Sequence, residues 1–513
     1  MLQRLIVLNV FLFYSITIFG QAPEKIANDY YQISNYEMAL PIYEKLYSKD
    51  TNNVEYVYRL GVCHVMLNRD RAKAIPFLEK ASKMPKVPDY VWLDLGSAYR
   101  YAGQLNKAEE CLNKFIAISK NQTEKENARI MLNQLKNAYT LMSNPINVDF
   151  INLGDKINSS YDDFFPVVDR KNTWIYYNSA RIFNKLEETY VVNVHFSTYK
   201  KNRWKSASRA PVVNTAEDNF IVGKSLNDEY LFIKPQQYEI FDDILMSPLN
   251  KETISGKAIS FPEPINTKDV ESGATLSESG DTLIFASNRK GGFGGLDLYM
   301  SVKLPDGSWS QATNLGPTIN TPLDEDFPVL CYDGKRLFFS SQGHTSMGGY
   351  DIFETTIQPD GNWSTPRNLG YPINNFYDNY NICFTQNNRY AYVADIRPEG
   401  YGGYDIYQLV FKEKEENHQI VTGSIFKGNK NAPQNLSPTD NIQILVYKPD
   451  RVTLIGVYYF NYNNSKFIVA LTPGKYFLKI DSERYKTVEY EFEILDILTN
   501  EINELDPFYL IEK

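Results

Sequence analysis

The side chains that could do chemistry are few, and most stand in isolation. The four histidines, His64, His195, His344 and His418, have no second ligand at the spacings that bind a metal. No nucleophile elbow or strand-to-helix phosphate loop occurs, and Gly291–Gly295 leads from one strand into another, so it reads as a hairpin turn. Three aspartates recur in one setting: Asp297, Asp351 and Asp405 each follow a Gly-Gly pair by two residues and lie 54 residues apart. A carboxylate there can accept backbone N–H groups and fix the turn, or join a ring of calcium ligands. The first reading makes the three aspartates structural blade turns. Arg181, Arg289 and Arg397 follow comparable strands, as an arginine cluster or as residues that solvate strand ends. Of the four cysteines, Cys63 and Cys111 fall in helical segments, and Cys331 and Cys383 in strands that leave open one bridge or isolated thiols. The chain is therefore expected to be no enzyme and to need no metal or cofactor.

The elements that must carry these residues divide into three regions, close to the three or four domains that a length of 513 residues suggests at about 150 per domain. Over residues 21–142 the apolar period is helical. Trp92, Leu95, Gly96 and Tyr99, then Ala108, Leu112 and Phe115, have the spacing of a tetratricopeptide repeat. A second copy has Val57, Leu60, Gly61 and His64 with Ala74, Leu78 and Ala81, and a weaker first copy has Ala27, Tyr30, Ala39, Tyr43 and Leu46. Thr123-x-x-Glu126 reads as a capping box opening a last helix to about Met142. The region resembles tetratricopeptide arrays. That resemblance implies a partner groove lined by Asn28, Tyr31, Glu55, Tyr58, Val62, Tyr90, Leu93, Ser97 and Arg100, or else an array that only supports its neighbour.

Over residues 147–411 the pattern turns β with a period near 54. Apolar strands at 283–287, 337–341 and 390–394 precede the three Gly-Gly-x-Asp turns, and Asn-Leu-Gly recurs at 314–316 and 368–370. A further asparagine falls at Asn158, Asn214, Asn266, Asn320 and Asn374. Strands of this length between Gly, Asn and Asp turns read as propeller blades of about four strands. Residues 147–158 carry the signature that ends each later blade, so the first strand is expected to complete the last blade. Five blades is the count and six the alternative. The region is similar to the WD-repeat-like propellers that include TolB, without their Trp-Asp dipeptide. Its Asp-Gly-x-Trp turns at 306–309 and 360–363 faintly resemble the Asp boxes of sialidases, which would also need an arginine cluster and a Tyr/Glu pair at the ring centre.

Residues 418–513 alternate apolar and polar, and Pro473-Gly474-Lys475-Tyr476 between two apolar strands resembles a carboxypeptidase-regulatory-like β-sandwich, although Asn463–Lys466 replaces its usual Asp-x-x-Gly turn. The fold class is thus α plus β: a tetratricopeptide α-solenoid, a five-bladed propeller and a small sandwich.

Composition is globular, 43% apolar and 22% charged, and a formal charge of −9 leaves no basic face for nucleic acid. Thirty-eight tyrosines suit a large β architecture. Residues 1–20 read as a signal peptide: a basic start, fifteen mostly apolar residues from Leu5 to Phe19, then Gly20-Gln21. The order of regions resembles the PorE family, accessory proteins of the type IX secretion machinery, without that family's C-terminal OmpA-like domain. This implies an exported scaffold on the periplasmic side of the outer membrane. Its partners would be envelope or outer-membrane proteins, and it would have no peptidoglycan anchor of its own. A glycan- or peptide-binding propeller, or a hydrolase, is the alternative. Arginine and acidic groups converging on one ring face would favour the alternative, and an exposed tyrosine-rich helical groove the scaffold.

Overall fold

The computed structural model describes residues 22–201, 203–236, 242–386, 388–412, 418–494 and 503–513; the expected leader lies outside them. Among the described residues seven α-helices come first: α1 (Pro23–Gln32), α2 (Tyr36–Lys49), α3 (Val54–Met66), α4 (Ile75–Ala81), α5 (Val91–Tyr101), α6 (Leu105–Ile118) and α7 (Gln122–Met142). The residues expected to pack between them do so. Ala39, Ala74, Ala108, Leu78, Leu112 and Phe115 have no exposed surface. Gly61 is required where α3 meets α4, because a Cβ there would lie 2.6 Å from the Leu78 side chain. One expectation is corrected. The last helix opens at Gln122, and its cap is Asn121, whose Oδ1 accepts from Glu124 N at 3.2 Å, so Thr123 lies inside the first turn. Among the described residues no helix is long and apolar enough to cross a membrane.

The middle of the chain is β and propeller-like. Asp163–Val168, Trp174–Asn184, Thr189–Thr198 and Ser208–Arg209 form one four-stranded antiparallel sheet, and Glu325–Leu330, Arg336–Ser341, Asp351–Thr356 and Arg367–Asn368 another. Between them in sequence lies a nine-stranded sheet whose two halves join where Asn219–Ser225 and Glu271–Leu276 run parallel. The fourth sheet closes the chain on itself. Cys383–Phe384, Tyr390–Asp395 and Asp405–Phe411 are completed by Val148–Asn152, with Val148 opposite Phe411 and Asn152 opposite Tyr407. The first strand therefore pairs with the last, as its signature predicts.

The recurring asparagines hold each unit together. The side-chain amide of Asn320 accepts from Leu298 N and donates to Leu298 O. Asn374 does the same at Ile352, Asn266 at Ile244 and Asn214 at Val194. Asn158 braces Ile406, across the chain closure. Each thus satisfies both main-chain groups of a buried residue where the ladder ends.

The helices dock on one rim of the ring. Asn68 Nδ2 donates to Asp162 Oδ2 at 3.0 Å, and Asn137 Nδ2 to Ser346 O at 2.9 Å. Tyr101 stacks on Tyr377 at 4.9 Å, with the Arg71 guanidinium over both rings. Met347 and Phe376 of the ring are buried in the helical core.

Residues 419–494 and 503–510 form two sheets packed face to face around Val421, Ile444, Val446, Phe467, Val469, Leu478 and Ile480.

Candidate binding site

The repeated aspartates act in turns. Asp297 accepts from Phe293 N at 2.6 Å, Gly294 N at 3.0 Å and Asn314 Nδ2 at 2.7 Å. Asp351 accepts from Met347 N, Gly348 N and Asn368 Nδ2. Asp405 accepts from Tyr401 N and from Asn152 Nδ2 of the closing strand. The Gly-Gly pair before each aspartate admits the next unit: a Cβ on Gly349 would stand 1.9 Å from Asp378 Oδ1. Among the described residues, no three His, Cys, Asp or Glu side chains are grouped to hold a metal. All four cysteines are free and buried.

The arginines do not converge. Arg181 pairs with Asp163 at 2.5 Å, Arg289 with Glu271 at 2.9 Å and Arg397 with Asp395 at 3.0 Å, each within its own unit. Inside the ring, Phe164, Phe165, Phe327, Tyr350 and Tyr380 fill the space with edge and tilted contacts, Phe165 to Phe327 at 5.0 Å.

On the rim opposite the helices, charged groups do meet. The turns joining the first and second strands of the units bring together Arg170, Asp228, Glu278 and Tyr332, and Lys224 reaches them from the strand Asn219–Ser225. Lys224 Nζ lies 2.5 Å from Asp228 Oδ1 and 3.0 Å from Tyr332 Oη. Burial disfavours its charge, but the Asp228 carboxylate and Tyr332 outweigh this and hold its pKa above the ordinary lysine value. The backbone N–H of Arg170 also donates to Asp228, and its Nη2 spans both oxygens of Glu278 at 2.9 and 2.8 Å. The guanidinium sits 5.4 Å from the Tyr332 ring centre. Below Lys224 and Tyr332 lies a small cavity of about 20 Å³, lined also by Phe165, Val167, Leu330 and Phe384, and the charged groups stand on the rim above it. Glu278 is 57% exposed at its side chain, an acceptor available to a ligand.

None of these five residues was legible as a site, because four come from turns of different copies and Lys224 from a strand. Lys224 alone carried a signal: a charge inside the apolar run Phe220-Ile-Val-Gly-Lys, in register with Thr275 of the neighbouring strand.

The residues expected to line a helical groove are placed as follows. Tyr58 donates to Asp94 Oδ2 at 2.7 Å, and Tyr31 stacks edge-on against Tyr36 and Tyr43 under Arg59. Asn28 accepts from Tyr43 Oη, and Glu55 pairs with Arg59 at 2.7 Å. Tyr90 is exposed and accepts from Asn121 Nδ2; Leu93 and Ser97 are half-buried. Two residues are corrected. Val62 is buried among the helices, and Arg100 is buried with its Nη1 on Gln134 Oε1 at 2.9 Å, so neither lines a free groove. Asp94 was missed. Burial, opposed by the Tyr58 bond and aided by Glu124, pushes its carboxyl up to about 7.

No protein-family model matches the chain. No curated protein matches it. Solved structures do. A protein from Agrobacterium tumefaciens described as TolB is 11% identical over 63% of this chain and 97% of its own, with a TM-score of 0.31. An α-L-arabinanase of Penicillium chrysogenum is 11% identical over 52% of this chain and 99% of its own, TM-score 0.33. A Trypanosoma rangeli sialidase is 8% identical over 68% of this chain and 89% of its own, TM-score 0.31. At these identities and scores the likeness concerns the fold and carries nothing about substrate. It does correct one expectation: glycoside hydrolases stand among the similar structures, so the exclusion of an enzyme read from the missing motifs does not hold.

Proposed function

We propose that this chain is a ligand-binding propeller protein whose ring mouth, on the rim away from the helices, takes a glycan. The carrying observation is the convergence of Arg170, Asp228, Glu278 and Tyr332 from separate turns, with Lys224 from a strand, in one charged cluster on that rim. Donors on Arg170 and the half-exposed Glu278 suit hydroxyl groups, and the Tyr332 and Phe384 rings suit a sugar face. Titration of the purified chain with a panel of oligosaccharides by calorimetry tests this. Tyr332→Ala should weaken the best ligand about 10-fold or more, the loss of one interface anchor. A panel in which nothing binds overturns the reading.

The ring is read as five-bladed: dividing the nine-stranded sheet at its parallel joint leaves five units, four of them four-stranded and one with the short extra strand Thr253–Ile254, each with one brace asparagine. The three helix pairs are read as tetratricopeptide repeats and the last region as a carboxypeptidase-regulatory-like sandwich.

A second reading concerns the groove, and Asp94 favours it. Its carboxyl touches Tyr58, and no cation pairs with it among the described contacts. A basic peptide side chain fits there, which accords with an exported, PorE-like adaptor on the periplasmic side of the outer membrane, serving type IX secretion through envelope proteins. Affinity capture from the native envelope with wild type and Tyr58→Phe checks it. Equal recovery of every partner counts against the groove.

A further inference from the structure

The three Gly-Gly-x-Asp turns each set one residue at the same station on the rim where the helices dock. Phe293, Met347 and Tyr401 each donate their backbone N–H to the aspartate of their turn, Asp297, Asp351 and Asp405. The glycine that follows presses on the loop opening the next unit. A Cβ on Gly294 would stand 2.1 Å from Leu323 O, one on Gly348 2.2 Å from Asn375 O, and one on Gly402 2.5 Å from the Ser160 carbonyl carbon. Each station therefore sets a turn residue beside a loop residue: Phe293 beside Pro322, Met347 beside Phe376, Tyr401 beside Ser160.

The stations repeat, but what covers them does not. Met347 and Phe376 are buried in the helical core, and α7 lies against their turn, with Asn137 Nδ2 on Ser346 O. At the Tyr401 turn the segment between α3 and α4 closes in, and a Cβ on Gly403 would meet Asn68 O at 2.3 Å. From α3 to α7 the helices thus step from the Tyr401 turn to the Met347 turn, one unit back along the ring. One further step in the same sense reaches Phe293. No α-helix follows α7 among the described residues, and here Phe293 is 49% exposed and Pro322 is exposed too. Apolar surface that helices cover at one station and water touches at its repeat continues an existing interface. Each described α-helix already turns apolar residues inward, α7 with Ala128, Leu135 and Ala138, so a second copy does not supply the cover. The Phe293 turn also holds exposed Lys290, whereas Gly343-His344-Thr345-Ser346 before Met347 holds no lysine or arginine. Carboxylates on the covering element would complement that cation.

We propose that the Phe293–Pro322 station docks an amphipathic helix of a partner protein, apolar on one face and acidic beside it, which extends the helical array along the rim. The probe is a lactam-stapled peptide of residues 122–142, the helix that lies against the equivalent station. It carries Leu135 and Ala138 on one face and Glu124 and Glu126 near its start. Fluorescence anisotropy with the full chain should show saturable binding with a dissociation constant below about 1 mM. Phe293→Asp, at an exposed turn position, should weaken it about tenfold or more, while Phe293→Leu and Tyr401→Ala leave it unchanged. Benzophenone in place of Tyr139 of the peptide should crosslink to residues 289–294 or 321–323 of the wild-type chain, a readout that needs no variant to fold. No binding up to about 1 mM, binding indifferent to Phe293→Asp in a folded variant, or crosslinks that map elsewhere each overturns the proposal.

Discussion

Asn374 and Ile352 are joined twice: the asparagine Oδ1 accepts from Ile352 N at 2.8 Å and its Nδ2 donates to Ile352 O at 2.8 Å. Both residues are buried, and Leu369 N–H also donates to Ile352 O, so removing the amide strands the Ile352 N–H without water. Asn374→Ala should cost about 1–3 kcal/mol, the penalty of one unsatisfied buried group. Denaturant unfolding followed by tryptophan fluorescence measures it. Asn374→Asp, protonated at acidic pH, keeps an acceptor and a single O–H donor, so measured there it should fall between alanine and wild type.

Removing Val148–Asn152 should destabilise the ring by more than the loss of one strand's contacts. Asn152 also holds Asp405, and the pairing to Asp405–Phe411 covers an otherwise open edge. The melting temperature of residues 153–411 against 147–411 reports this. Equal values would show that closure contributes nothing.

Tyr377→Ala should loosen the helices from the ring while leaving each folded. The ring of Tyr377 stacks on Tyr101 beneath Arg71, and truncation removes both contacts, about 1–3 kcal/mol. Limited proteolysis at 143–147 should accelerate, with unchanged far-ultraviolet dichroism.

Stability should fall as pH rises from about 4 to 7, and Asp94 contributes part of that fall beside Glu325 and Asp351, whose carboxyls burial also pushes up to about 7. The Asp94 carboxyl is pushed up to about 7 from an ordinary 3.8, so in that window the folded chain keeps a proton that the unfolded chain releases. Above the window the loss is complete. Asp94→Asn, which keeps the shape and the Tyr58 contact, should reduce this slope of melting temperature against pH. A slope identical to wild type would remove Asp94 as one source.

Much of the ring was legible because each turn repeats one local solution. The Gly-Gly-x-Asp, Asn-Leu-Gly and later asparagine form one bonded set, as Asp297, Asn314 and Asn320 show, and a set bonded within one repeat recurs at the repeat's period. The closing strand was readable for the same reason. The candidate ring-mouth site was not, since Arg170, Asp228, Glu278 and Tyr332 stand where copies differ. In the helices the packing positions were plain from spacing, whereas the free face was not. Val62 was assigned to it by repeat geometry but is covered by neighbouring helices, and Arg100 is turned onto Gln134.

The brace between Asn158 and Ile406 spans 248 residues, whereas its counterpart at Asn320 spans 22. A chain made from its N-terminus can set the short braces as each unit emerges, but this one waits until almost the whole ring exists. Until then the opening strand has nothing to pair with, and the last unit lacks its outer edge. Loop closure over that distance carries an entropy cost that local pairs do not. The meeting of the two ends therefore carries a larger closure cost than any of the short braces, and a chain grown only to residue 404 holds an open arc.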